Sequence, residues 1–141
     1  MSETFEGSCL CKKVTYKLVG DAMRFYHCHC ERCRKATGTG HATNIMVKPK
    51  AETEIEWLSG EDLLGRYKVP EAERFYNCFC KECGSPMPRV VLELGAVLIA
   101  AGSLDMVPEM EPQGRIFWDS RVEWSCDNSK LETFAEYPPG I

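Results

Sequence analysis

Residues 22–38 read AMRFYHCHCERCRKATG. An apolar and aromatic lead-in runs straight into three cysteines at C-x-C-x-x-C spacing, Cys28, Cys30 and Cys33. The stretch predicts a strand over 22–30 that delivers Cys28 and Cys30. It then predicts one helical segment over 31–38, stopped by Gly38, which can adopt the left-handed conformation that closes helices. In extended backbone Cys28 and Cys30 share a face, while His27 and His29 point to the opposite one. The cysteines are therefore read as metal ligands, and the histidines as packing or supporting neighbours.

On either side of this stretch, short apolar runs are punctuated by Gly, Pro, Asn and Asp, the pattern of many short strands. Strands are expected at 13–20, 42–49, 54–58, 63–69 and 74–80, with a hairpin at 89–102 and an extended segment at 115–124. No internal repeat, low-complexity tract or linker interrupts the chain. The expectation is one all-β domain over 1–141, with its core at about 5–138 and little helix. At 141 residues and 44% hydrophobic, the chain can bury a core without disulfide staples.

The formal net charge of -4 argues against a nucleic-acid partner, which needs a clustered basic face. No run is apolar enough to span a bilayer, so no membrane partner is expected. MSETFEGSCLC lacks the basic-then-apolar order of a secretory leader, so a cytoplasmic location is expected. Nine cysteines in such a setting stay reduced, and clustered reduced cysteines point to metal rather than bridges.

Seven of the nine fall into groups: Cys9 and Cys11; Cys28, Cys30 and Cys33; Cys80 and Cys83. Zinc takes four thiolates tetrahedrally at about 2.3 Å, with neighbouring sulfurs a little under about 4 Å apart. The C-x-x-C at 80–83 can meet this as a knuckle, completed by Gly84 at positive φ. A C-x-C in an extended strand turns both sulfurs to one face. Cys9, Cys11, Cys80 and Cys83 thus form one complete structural zinc site. Cys28, Cys30 and Cys33 remain as a three-sulfur set, with Cys33 in the first helical turn, where N–H groups favour thiolate. Three protein ligands leave a position open for chemistry. Three thiolates make zinc a poor activator of water and a better host for an incoming thiol, which is held deprotonated and is the nucleophile toward a carbonyl.

GSCLCKKVTY (7–16), CHCERCRKATG (28–38), FCKECGSPM (79–87) and AAGSLD (100–105) occur in that order, followed by a Trp and a Pro-rich end. From Gly7 to Pro138 the chain resembles the glutathione-dependent formaldehyde-activating enzyme family, which includes the centromere protein V domain. The resemblance implies a β-tent fold of stacked antiparallel sheets with two zinc ions. It implies structural zinc on Cys9, Cys11, Cys80 and Cys83, and catalytic zinc on Cys28, Cys30 and Cys33. It also implies condensation of formaldehyde with glutathione to S-(hydroxymethyl)glutathione, formally a carbon–sulfur lyase reaction. The chain departs from the family pattern at Arg115, near the place where many members carry a His.

Other residues stay open. Cys78, two before Cys80, can be a fourth ligand to the second zinc or a strand thiol. Cys126 has no partner spacing. His41 follows TGTG (37–40) and is either a loop residue or a proton carrier near substrate. TGTG lacks the Gly-Lys-Ser/Thr ending of a phosphate loop, which excludes that type of nucleotide site. Arg34 and Lys35 are candidate contacts for the carboxylates of a glutathione-like thiol. Trp57, Trp118 and Trp124 are expected in the core. The first-choice function is a zinc-dependent enzyme joining or splitting a thiol and a small aldehyde. A non-catalytic zinc-stapled module carrying glutathione or binding a protein, and a thiol redox sensor, are the alternatives.

Overall fold

The computed structural model describes residues 2–50, 55–126 and 129–141. Among these residues it is all-β with one α-helix. In chain order the strands are β1 (Glu3–Ser8), β2 (Thr15–Cys28), β3 (Ala42–Pro49), β4 (Glu56–Ser59), β5 (Leu64–Lys68), β6 (Tyr76–Cys80), β7 (Arg89–Val91), β8 (Ala96–Ala100) and β9 (Gly114–Ile116), with α1 (Glu31–Thr37) after β2. One sheet runs β1-β2-β3-β8-β7, with β4 and β9 also paired to β2; β5 and β6 form a second, two-stranded sheet.

The strands expected at 13–20 and 22–30 are one continuous strand, β2. Its first half pairs antiparallel with β1 on one edge and β4 on the other. Its second half pairs antiparallel with β3 and parallel with β9. The start of the expected 54–58 strand, Glu54, lies outside the described residues.

A one-residue bulge between Ala22 and Arg24 decides what β2 presents to each side. Before it, Tyr16 and Leu18 are buried in the core; after it, Phe25 is, beside its register partner Ile45. The core face therefore switches from even to odd positions, because an extra residue shifts the two-residue alternation by one. Arg24, Tyr26 and Cys28 consequently turn away from the core, on the same face as their partners Met46, Asn44 and Ala42. The main core gathers Phe5, Tyr16, Leu18, Phe25, Ile45, Val47, Val97 and Ile99; Cys28, Cys33 and Ala42 form a second, smaller cluster.

The chain ends β2 at Cys28 and enters α1 through Cys30, whose sulfur caps the helix by accepting from the Cys33 N–H at 3.3 Å. Gly38 closes the helix at φ 68, its N–H on the Arg34 carbonyl. The hairpin expected at 89–102 is β7–β8. The extended segment expected at 115–124 is shorter than predicted. β9 ends at Ile116, and Phe117 at φ 54 turns the chain into short 3-10 turns at Trp118–Ser120 and Glu123–Ser125. β9 is pinned to β2 by Gln113, whose N–H donates to the Phe25 carbonyl and whose side-chain oxygen accepts from the Phe25 N–H.

The tryptophans divide. Trp57 packs against the core. Trp118 is half-buried beneath the Arg115 and Arg121 guanidiniums. Trp124 is 72% exposed and is not a core residue. Among the described residues no helix is long and apolar enough to cross a membrane.

Candidate metal centres and the adjoining cavity

Two groups of cysteine sulfurs converge, each with all its sulfurs within 4.8 Å of one another: Cys9, Cys11, Cys80 and Cys83; and Cys28, Cys30 and Cys33.

The four-cysteine group joins two turns. After β1 the chain folds back, with the Lys12 N–H on the Cys9 carbonyl, the Cys9 N–H on the Val14 carbonyl, and Lys12 itself at φ 66. The C-x-C at 9–11 is therefore a turn rather than the extended strand expected. The backbone decides this: β1 ends at Ser8, and the left-handed Lys12 with these two hydrogen bonds reverses the chain within residues 9–14. In the turn Cys9 Sγ and Cys11 Sγ lie 3.5 Å apart. The opposing knuckle is closed by the Gly84 N–H on the Cys80 carbonyl, with Gly84 at φ 77. Cys11 Sγ and Cys80 Sγ are 3.9 Å apart, close to the edge of a zinc–thiolate tetrahedron. The Ser85 hydroxyl beside Cys83 and neighbouring backbone N–H groups draw that thiol down to about 5. Spacing and donor set both fit a closed, four-sulfur metal site.

The three-cysteine group sits where β2 hands over to α1. Cys28 is buried at the end of the strand and Cys33 on the inner side of the helix. The Cys33 thiol beside Cys28 draws the Cys28 thiol down to about 6; the Cys30 backbone and thiol and the charge of Arg89 act in the same direction. The same contact, with burial, pushes Cys33 up. One proton-poor and one proton-rich sulfur in contact are what crowded thiols adopt before a cation replaces their protons. Among the described residues no fourth His, Cys, Asp or Glu atom joins this group. Cys78 joins neither group. It is buried in the main core, where burial pushes its thiol up. Cys126 also stands apart, its thiol on the Val122 carbonyl at 3.0 Å.

The three-cysteine group borders a cavity of about 560 Å³, within the usual size range of small-molecule sites. β2 contributes Arg24, Tyr26 and Cys28 to its wall, and Phe75 and Ile116 add apolar surface. Arg32 and Arg89 supply positive charge, and Phe117 stands at its edge, 63% exposed. Arg34 and Lys35 do not line this cavity. Arg34 instead reaches the Ser120 carbonyl at 3.3 Å, and Lys35 is exposed. At about 100° per residue, a helix that turns Cys33 inward carries its next two residues round to other faces. Arg24, Tyr26 and Arg89 were missed from sequence. The alternation Arg24, Tyr26, Cys28 was a signal for the first two; Arg89 had none.

The three histidines cluster away from this cavity. The His41 ring lies 4.3 Å from His27 and 4.9 Å from His29, and His29 meets the edge of Trp118 at 5.0 Å. His27 Nδ1 bonds the Thr43 hydroxyl at 2.8 Å. His29 is buried with neither ring nitrogen bonded, and burial, with the charges of its His and Arg neighbours, pushes its basicity down. His41 thus packs against its neighbours rather than facing the cavity. Arg115 lies in register with His27 and stacks over Trp118.

A family model described as "Glutathione-dependent formaldehyde-activating enzyme" matches residues 4–120. The crystal structure of a Rhodobacter sphaeroides protein superposes with a TM-score of 0.58 at 16% identity, covering 78% of this chain and 98% of that one. That likeness is one of fold. No curated protein matches the chain.

Proposed function

Because this chain belongs to the glutathione-dependent formaldehyde-activating enzyme family, we propose that it joins a glutathione-like thiol to formaldehyde or another small aldehyde, or splits that adduct, at the Cys28–Cys30–Cys33 centre. The observation that carries this reading is the three-sulfur group set against a cavity large enough for a small thiol. The reaction is of the carbon–sulfur lyase class, with S-(hydroxymethyl)glutathione as the product for glutathione and formaldehyde.

Cys28, Cys30 and Cys33 would hold one zinc, and Cys9, Cys11, Cys80 and Cys83 a second, structural one. Zinc at the three-cysteine centre would supply a position at which a thiol is held as thiolate. The chain's own residues bind and orient. Arg24 and Arg32 line the wall where they can take the thiol's carboxylates by charge-assisted hydrogen bonds. Phe75, Ile116 and Phe117 shield the reacting sulfur from water, which would otherwise compete for the aldehyde. Holding thiol and aldehyde side by side supplies the proximity on which this condensation depends. The proton lost by the thiol and the one gained by the new hydroxyl balance, so no oxidant or reductant is needed.

X-ray absorption at the zinc edge tests the reading. The free protein is expected to average about 3.5 sulfurs per zinc, rising toward about 4 when glutathione is added. An average of four in the free protein, unchanged by glutathione, would contradict it.

A further inference from the structure

We propose that Arg89 holds a fixed positive charge against the three-cysteine centre and thereby makes that centre favour an anionic fourth ligand over a neutral one. This rests on the reading of Cys28, Cys30 and Cys33 as a metal centre open to a thiol.

Arg89 begins β7, opposite Leu98 of β8. Its guanidinium is held on two sides: Nη1 donates to the Tyr76 carbonyl, and the group lies 4.7 Å over the Phe75 ring. It borders the large cavity together with Cys28, Cys30 and Cys33, and borders a second cavity of about 130 Å³ together with Cys33. Among the described residues no carboxylate forms an ion pair with it. Burial works against its charge, and Cys33, Tyr76, Cys28 and Cys30 act in its favour. A cation withdrawn from water needs a compensating anion or it destabilises the fold. Here the compensating groups are the sulfurs, and the contacts to Tyr76 and Phe75 keep the guanidinium from swinging out to solvent.

The selectivity follows from charge counting. Three thiolates around a divalent ion carry one net negative charge. A neutral fourth ligand leaves that charge unchanged, whereas a thiolate doubles it. A fixed neighbouring cation therefore favours the thiolate-bound state more strongly, in a partly buried site where charges are poorly screened. Lys at the same position would keep the charge while losing the planar stacking on Phe75. Neutral residues would lose the charge.

The test uses the full chain loaded with cobalt, whose thiolate charge-transfer bands report ligand binding. Wild type, Arg89→Met, Arg89→Gln and Arg89→Lys are each titrated with 2-mercaptoethanol and, separately, with imidazole. Arg89→Met is expected to weaken 2-mercaptoethanol at least tenfold and imidazole by less than threefold, with Arg89→Lys within threefold of wild type for both. Arg89→Gln, which keeps a hydrogen-bond donor, gives the same comparison should Arg89→Met fail to fold. Equal losses for the two ligands, or a Lys variant as impaired as the neutral ones, would overturn the proposal. If wild type binds no thiol, the proposed function fails, and chelator competition then decides the role of Arg89. The neutral variants should release cobalt from the three-cysteine centre at least tenfold more readily, while the four-cysteine centre holds; unchanged release would overturn it.

Discussion

Cys11 Sγ lies 3.9 Å from Cys80 Sγ although the two residues are 69 apart in sequence. This contact ties the turn after β1 to the end of β6, so one ion at the four-cysteine group would couple the two sheets. A structural zinc site contributes roughly 10–16 kcal/mol to folding, as much as or more than the net stability of a domain. Cys80→Ser is expected to abolish the cooperative thermal transition seen by circular dichroism, and strong chelators should do the same to wild type. A sharp transition at the wild-type midpoint in Cys80→Ser would contradict the structural role.

Cys33→Ser should behave differently, because Cys28, Cys33 and Ala42 form a cluster separate from the main core. The variant is expected to fold, to carry about one metal ion fewer by elemental analysis, and to lose thiol-dependent activity. Loss of folding as complete as in Cys80→Ser would remove the distinction between the two centres.

Arg24 stands on the cavity wall, whereas Lys35 does not line it. Arg24→Ala is expected to raise KM for glutathione by roughly tenfold, the loss of one charge-assisted hydrogen bond, with kcat changed less. Lys35→Ala should leave KM unchanged. The opposite ranking in steady-state kinetics would place the carboxylate contacts on the outer face of α1.

Tyr16 is fully buried, with its hydroxyl 2.6 Å from Ser103 Oγ. Burial pushes its phenol up to about 12, with the Asp105 charge adding to the effect against the Ser103 hydrogen bond. Because the folded protein disfavours the phenolate, stability from this group is intact below the unfolded value near pH 10 and is lost as pH rises through the folded value. Chemical denaturation between pH 9 and 12 should show wild type losing roughly 2–3 kcal/mol from this source. Tyr16→Phe should flatten that slope without abolishing it, since burial also raises Tyr76. An unchanged slope in the variant would assign the alkaline loss elsewhere.

Gly7 opens the GSCLC segment and pairs with Tyr16 across β1 and β2. A β-carbon there would collide with the Tyr16 hydroxyl and the Ser103 carbonyl. Gly7→Ala is expected to destabilise by about 1–3 kcal/mol through overpacking. A thermal midpoint equal to wild type would mean that Tyr16 has room to move.

Much of the strand order and both cysteine groups were legible in the sequence because local chemistry carries them. The run at 42–49 is a short apolar stretch between Gly40 and Pro49 breakers, and it is a strand as read. Gly38 follows a short helical run and takes the left-handed conformation that ends it. C-x-C, C-x-x-C and their glycine announce ligand sets, because a tetrahedral ion accepts few backbone geometries. The turn at 9–11 is the exception: an alternating C-x-C fits a strand, and only the left-handed Lys12 and the Lys12–Cys9 and Cys9–Val14 backbone bonds make it a turn.

Local patterns are enough to give an all-β chain, two cysteine groups and a family; what the three-cysteine group looks out upon depends on packing between residues far apart in the chain. The bulge between Ala22 and Arg24 reverses the alternation of β2, so that Tyr26 and Cys28 leave the core face and line a cavity. Arg89, 56 positions beyond Cys33, meets the centre only because β7 folds beside β8 and the guanidinium lodges between Tyr76 and Phe75. Arg34, expected to contact a carboxylate of the thiol, turns to Ser120 instead. A one-residue register change and a long-range strand pairing leave no local pattern, since each is fixed by the packing of residues distant along the chain.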